Sequence, residues 1–271
     1  MPGVPNASMA RQVERAGFEA VYISGAGLAN CTAGLPDVGL LTLNEVATLA
    51  GFIARAVKIP AIVDADTGFG GAENVGRTIY ELERAGLAGC HLEDQEFPKR
   101  CGHLAGSVWS KPMRCRRRFA PPWPPNAIAI FSSSHGPIRA RLRISTARCN
   151  ARTPTSRPAR TRFFRRRCKR KEEFRDFALE VRAPLLANMT EFGKSPLLNV
   201  RELGELGYRM VIFPQSAFRV SMKTTGEFFH SLQEAGSAEG WLDRMQTRKE
   251  LYETLDYDPS RGKLAGVITR R

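Results

Sequence analysis

Short runs of consecutive apolar residues alternate with longer stretches in which apolar positions recur every three to four residues, at intervals of roughly 25 residues. Ala20-Val21-Tyr22-Ile23-Ser24 reads as a buried strand running into Gly-Ala-Gly. Residues 43–57 read as a helix, with Thr42 as cap and Glu45 three positions later completing a capping box. Ile59-Pro60-Ala61-Ile62-Val63 is the next strand, residues 72–85 the next helix, and Gly89-Cys90-His91-Leu92-Glu93 a further strand. The rhythm resumes later with Pro184-Leu185-Leu186-Ala187-Asn188, a helix near 200–206 and Met210-Val211-Ile212-Phe213-Pro214. Continuous apolar strands alternating with helices predict a parallel sheet. The polar residues Ser24, Asp64, Asp66, Glu93 and Asn188 gather at strand C-terminal ends, the active face of a parallel barrel. An α/β fold of the (β/α)8 TIM-barrel type is expected, with a doubly wound open sheet as the alternative. One barrel domain is expected over residues 1–258, followed by a tail over 259–271.

Residues 107–170 break this pattern. They hold 16 Arg, 2 Lys, no acidic residue and 8 of the 17 prolines. The stretch carries +18 of charge, so the other 207 residues, with 23 basic and 27 acidic groups, are mildly acidic. The overall +14 is therefore a local property and a weak argument for nucleic acid. A one-base shift of reading frame offers an explanation. With synonymous codons chosen freely, residues 108–113 can give Leu-Val-Gln-Ala-Asp-Ala, and 132–138 can give Val-Ile-Ala-Arg-Thr-Asp. Residues 150–168 can give a run ending Ala-Asp-Ala-Ile-Phe-Pro-Glu-Ala-Leu. These strings restore two βα units in order, so the strands expected in 107–170 are disrupted as translated. The chain as written is then expected to fold poorly and turn over slowly, because Arg- and Pro-rich sequence replaces interior strands. The competing reading is a real Arg-rich arm, with Trp109, Phe119, Trp123, Phe131, Phe163 and Phe164 available for stacking.

Six cysteines show neither CxxC pairs nor zinc-ligand spacing, so neither a disulfide framework nor a structural metal is indicated; Cys31 and Cys90 read as core thiols. No apolar run is long enough to span a bilayer, and a cytoplasmic location is the default expectation.

Asp64-Ala65-Asp66-Thr67-Gly68-Phe69-Gly70 places two carboxylates at a strand end before a glycine-freed loop. With Glu93 on the neighbouring strand, these hard oxygen donors suit Mg²⁺ or Mn²⁺; for Asp-x-Asp alone a solvated loop is the plainer reading. Ser24-Gly25-Ala26-Gly27 offers successive backbone N–H groups to a carboxylate or an enolate oxygen, or is simply a tight turn. Asp37 either orients metal waters or caps a turn. Cys101 lies between Lys99, Arg100 and His103, cations that lower a thiol's pKa and poise it for proton transfer. Asn188-Met189-Thr190-Glu191-Phe192-Gly193-Lys194-Ser195 offers donors for a second carboxylate, or caps a turn.

Taken together, Ser-Gly-Ala-Gly, Gly-Leu-Pro-Asp-Val-Gly, Asp-Ala-Asp-Thr-Gly-Phe-Gly, His-Leu-Glu-Asp-Gln, Lys-Arg-Cys-Gly-His, Asn-Met-Thr-Glu-Phe-Gly and Met-Gln-Thr-Arg-Lys-Glu-Leu-Tyr resemble the isocitrate lyase and phosphoenolpyruvate mutase superfamily. The branch most similar is that of the methylisocitrate and dimethylmalate lyases. The resemblance spans residues 1–106 and about 171–258. It implies a (β/α)8 barrel, usually a homotetramer with an exchanged C-terminal helix, that cleaves a C–C bond in a 2-hydroxy di- or tricarboxylate. It further implies Mg²⁺ at Asp64, Asp66 and Glu93. Ser24, Gly25 and Ala26 would hold the α-keto acid portion, Asp37 would be a further substrate-binding residue, and Cys101 would protonate the departing carbanion. Gly102, His103, Asn188, Thr190 and Ser195 would bind the departing carboxylate. The family's Arg-Thr-Asp and Pro-Glu-Ala elements are absent except in the shifted frame. Family members also carry a further helical segment before the first strand, at which this chain is expected to open. A mutase, an oxaloacetate-type decarboxylase, an inactive subunit retained for assembly and a nucleic-acid arm on a defunct barrel are the competing functions.

Overall fold

The apolar runs pair side by side as one parallel sheet. A computed structural model describes residues 1–93, 95–96, 99, 128–133, 160–165, 168, 170–181, 184–193, 195–260 and 263–264. Its strands are β1 (Val21–Ile23), β2 (Ala61–Asp64), β3 (Gly89–Glu93), β4 (Ile128–Ser133), β5 (Arg160–Arg165), β6 (Leu185–Asn188) and β7 (Tyr208–Ile212). They lie in sequence order, each parallel to the next. A doubly wound sheet reverses its strand order at a switch point, so strict sequence order excludes that alternative.

The first residues close the ring. Gly3 N–H donates to Phe213 O at 2.8 Å, and Val4 N–H donates to Tyr22 O at 2.9 Å. Tyr22 N–H donates to Pro2 O at 2.9 Å, so Pro2 and Gly3 bridge β7 to β1. A Cβ on Gly3 would stand 2.2 Å from Pro214 O, and only glycine lets the backbones approach this closely. The chain was expected to open at the first strand, and Pro2 and Gly3 stand in such a place in the ring, between β7 and β1; Pro2 has no N–H to donate, which keeps the pairing there to isolated bridges.

The expected interruption at 107–170 takes a different form. β4 and β5 both come from this stretch and pair parallel in the ring, from Cys90↔Ala129 through Phe164↔Leu186. The ladder is made of backbone groups. Ile128-Ala129-Ile130-Phe131 and Phe163-Phe164 supply the β-branched and aromatic residues that favour extended chain.

Helices follow the strands: α1 (Ala7–Arg15), α2 (Gly25–Leu28), α3 (Leu43–Ala56), α4 (Ala72–Arg84), α5 (Lys171–Glu180), α6 (Val200–Glu205), α7 (Ser216–Ala235) and α8 (Arg248–Thr254). The capping box at α3 is present: Glu45 N–H donates to Thr42 Oγ1 at 3.3 Å, and Thr42 N–H to Glu45 Oε2 at 2.7 Å. α3 and α4 turn Val46, Ala50, Ile53, Val75, Ile79 and Leu82 onto β1–β3, and this makes the largest apolar cluster. A smaller cluster around Phe174, Leu185, Leu203 and Val211 backs β6 and β7. Cys90 is buried as expected. Cys31 is not: it is exposed in the wide turn Ala29–Ala33 that continues α2 beyond the packed layer. A two-stranded hairpin, Tyr257–Asp258 against Lys263–Leu264, straddles the expected boundary between barrel and tail.

Candidate metal and substrate site

Strand register assembles the site. Asp64 at the end of β2 pairs with His91 of β3, and side chains two apart on a strand share a face, so Glu93 joins His91. Ligand atoms of Asp64, His91 and Glu93 all lie within 4.8 Å of one another, and all three side chains are buried. Beyond β2 the ladder continues irregularly: Ala65 N–H donates to His91 O at 2.8 Å and Glu93 N–H to Asp66 O at 2.7 Å. Asp66 itself takes φ 49°, a left-handed conformation that aspartate tolerates better than most residues. Its N–H donates to Asp64 Oδ1 at 3.0 Å, which turns both carboxylates to the same end of the barrel.

Around this core, Gln95 Nε2 donates to Glu93 Oε2 at 2.6 Å and fixes that carboxylate. Tyr22 OH lies 3.2 Å from His91 Nδ1, which is 3.8 Å from Asp64 Oδ1, linking phenol, imidazole and carboxylate across β1–β3. Gly25 packs against the pair: a Cβ there would stand 3.3 Å from Asp66 Oδ1 and 3.4 Å from Asp64 Cγ. Ser24 caps α2, accepting from Gly27 N–H at 3.3 Å, and this holds the Ser24-Gly25-Ala26 turn beside the carboxylates.

Lys99 enters from the segment after β3. Its Nζ donates to Asp37 Oδ1 at 2.5 Å and contacts Asp66 Oδ1, with the side chain 1% exposed. Burial pulls this ammonium down, but Asp66, Asp37, Glu93 and Asp64 together hold it well above an ordinary lysine. Burial likewise pushes the Asp66 carboxyl up, to about 6, against the opposing pull of Lys99. Lys99 meets Asp66 Oδ1 as an ion pair, and that oxygen accepts no hydrogen bond of ordinary geometry. Burial, and then the charge of Asp64, pushes the Cys90 thiol up to about 12, so it stays a neutral core thiol.

The structure therefore brings together Ser24, Gly25, Asp64, Asp66 and Glu93, with Ala26 in the same turn and Asp37 joined through Lys99. Asp37 was expected at metal waters or in a turn; it pairs with the lysine. Asn188 and Thr190 stand at the end of β6, where Thr190 Oγ1 donates to Asn188 Oδ1 at 2.7 Å, and Ser195 is half-buried in the loop that follows. Cys101, Gly102 and His103 lie outside the described residues. Sequence reasoning passed over His91 as a donor and Lys99 as an ion-pair partner. The alternation in His91-Leu92-Glu93 was the available signal for the first; the second had none, since Asp37 lies 62 positions away.

A family profile described as phosphoenolpyruvate phosphomutase matches residues 1–110. The 2-methylisocitrate lyase of Aeropyrum pernix is 41% identical over 266 residues, covering 94% of this chain and 82% of that protein. The chain belongs to the phosphoenolpyruvate mutase and isocitrate lyase superfamily. Among solved superfamily members, a 2,3-dimethylmalate lyase is 32% identical with a TM-score of 0.76, covering 93% of this chain and 85% of that one. Phosphonopyruvate hydrolase, solved with oxalate and Mg²⁺, shares the fold at a TM-score of 0.75 and 23% identity, covering 93% and 88%. Superfamily membership gives the (β/α)8 barrel, and the similarity to 2-methylisocitrate lyases gives the activity class, carbon–carbon lyase.

Proposed function

We propose that the chain cleaves a 2-hydroxy di- or tricarboxylate of the 2-methylisocitrate type, releasing an α-keto acid such as pyruvate plus succinate or a relative. The buried Asp64–His91–Glu93 group beside the Ser24-Gly25-Ala26 turn is the observation that carries this reading. The carboxylates of Asp64 and Glu93, with Asp66 beside them in its ion pair with Lys99, offer hard oxygen donors that fit a divalent ion, Mg²⁺ or Mn²⁺. Such an ion, when bound, polarises the carbonyl that forms as the C–C bond breaks.

The remaining work belongs to the chain. Ser24, Gly25 and Ala26 present N–H groups and a hydroxyl to the keto-acid portion, with Asp37 at its border. Gln95 keeps Glu93 oriented. Asn188, Thr190, Ser195, Gly102 and His103 are assigned to the departing carboxylate, and Cys101 gives its proton to the departing carbon. α7 has no buried residue and exposes Val220, Met222 and Phe229, which favours a homo-oligomer that covers it. Among the described residues no helix is long and apolar enough to cross a membrane; we place the enzyme in the cytoplasm.

The family profile ends at residue 110, just inside the Arg-rich stretch that starts at 107. This supports a shifted frame over 107–170 and a correspondingly impaired enzyme. The test is release of the α-keto acid, pyruvate from 2-methylisocitrate, 2,3-dimethylmalate and oxaloacetate or glyoxylate from isocitrate, with Mg²⁺, by this chain and by a frame-restored version. Metal-dependent cleavage of the first substrate class by the restored version is expected. Turnover of oxaloacetate alone, or equal turnover by both chains, would count against the proposal.

A further inference from the structure

Four carboxylates crowd one end of the barrel: Asp37, Asp64, Asp66 and Glu93. They divide into two sets. Asp64 and Glu93 converge with His91 on one point. Asp37 and Asp66 converge on the Lys99 ammonium, which is buried beneath the half-buried Asp37. One divalent ion beside Lys99 leaves a single formal negative charge for the substrate's own surroundings to balance. A second divalent ion beside Lys99 would overload the cluster with positive charge, whereas two ions without the lysine would neutralise it.

We infer that Lys99 is the resident second cation of this site, filling the Asp37–Asp66 half so that the Asp64–His91–Glu93 half takes a single divalent ion. The inference rests on the divalent-ion reading above. Lys99 is a specificity-determining residue for metal stoichiometry and acts through the carboxylates it occupies. The 2.5 Å contact to Asp37 and the near-complete burial of Lys99 argue against a surface lysine folded back by chance.

The experiment counts bound Mn²⁺ on the full chain by the electron paramagnetic resonance signal of the free ion. The unaltered chain is expected to bind one ion. Lys99→Met removes a positive charge from beside the carboxylates, so the first ion should bind roughly tenfold tighter or more, and a second equivalent should appear. Lys99→Arg keeps the charge and should stay at one ion with near-original affinity. Asp37→Asn, at the half-buried rim, should move affinity the other way, weakening the ion by a comparable factor. It also tests the idea should the methionine variant not fold. One ion of unchanged affinity in both Lys99→Met and Asp37→Asn overturns the role of Lys99 alone. Identical behaviour of Lys99→Arg and Lys99→Met overturns it too, since charge would not be the cause. An unaltered chain that binds no Mn²⁺ overturns the divalent-ion reading and this inference together.

Discussion

Residues 1–93 and residues 107–170 contribute to the same ring with opposite chemistry. The first region supplies β1–β3, the largest apolar cluster, and every acidic side chain that the structure gathers at the site. The second has no acidic residue and 16 arginines, yet lends β4 and β5 to the ladder. A parallel ladder is built from backbone N–H and C=O groups, so composition constrains it loosely. A catalytic site is built from side chains, and there composition decides everything.

The sharpest way to break the comparison is to exchange residues 107–170 for their alternative reading frame. Turnover of a 2-methylisocitrate-type substrate should rise on the order of 10³-fold, the scale set by regaining charged groups aimed at the reacting atoms. Steady-state kinetics of the two chains would show it. Glu93→Ala, made in the frame-restored protein, should lower turnover about 10²-fold by removing one donor of the buried set. Calorimetry should show Mn²⁺ binding lost in parallel. Gly25→Ala adds a methyl 3.3 Å from Asp66 Oδ1. Overpacking at that level costs about 1–3 kcal/mol, so metal affinity should fall about tenfold or more and the melting temperature by several degrees. The smallest effect belongs to Thr42→Ala, which removes the α3 cap and should cost about 1 kcal/mol in a denaturant titration, with the site untouched.

Much of the first region was legible because its periodicities are local. The strand at Gly89–Glu93 and the helix behind Thr42 follow directly from apolar spacing and a capping pair. Asp64, Asp66 and Glu93 were legible as acids at strand ends. Their division of labour was not. Which carboxylate meets His91 depends on the register between β2 and β3, and which meets Lys99 depends on a loop 62 positions away. Pro2 and Gly3 were legible as the opening strand, but their partners were not, since Phe213 and Tyr22 are remote in sequence. In the Arg-rich stretch, proline and charge density masked short β-prone runs that backbone pairing can still use.

The crossing of Gly3 over Pro214 has a mechanical meaning. It works like the rivet in a hoop, joining the last stave to the first where no side chain fits. Gly3→Ala would leave each stave and every ligand intact but spring the hoop, so hydrogen exchange along Tyr22 and Phe213 should quicken well before the acids at the rim lose their arrangement.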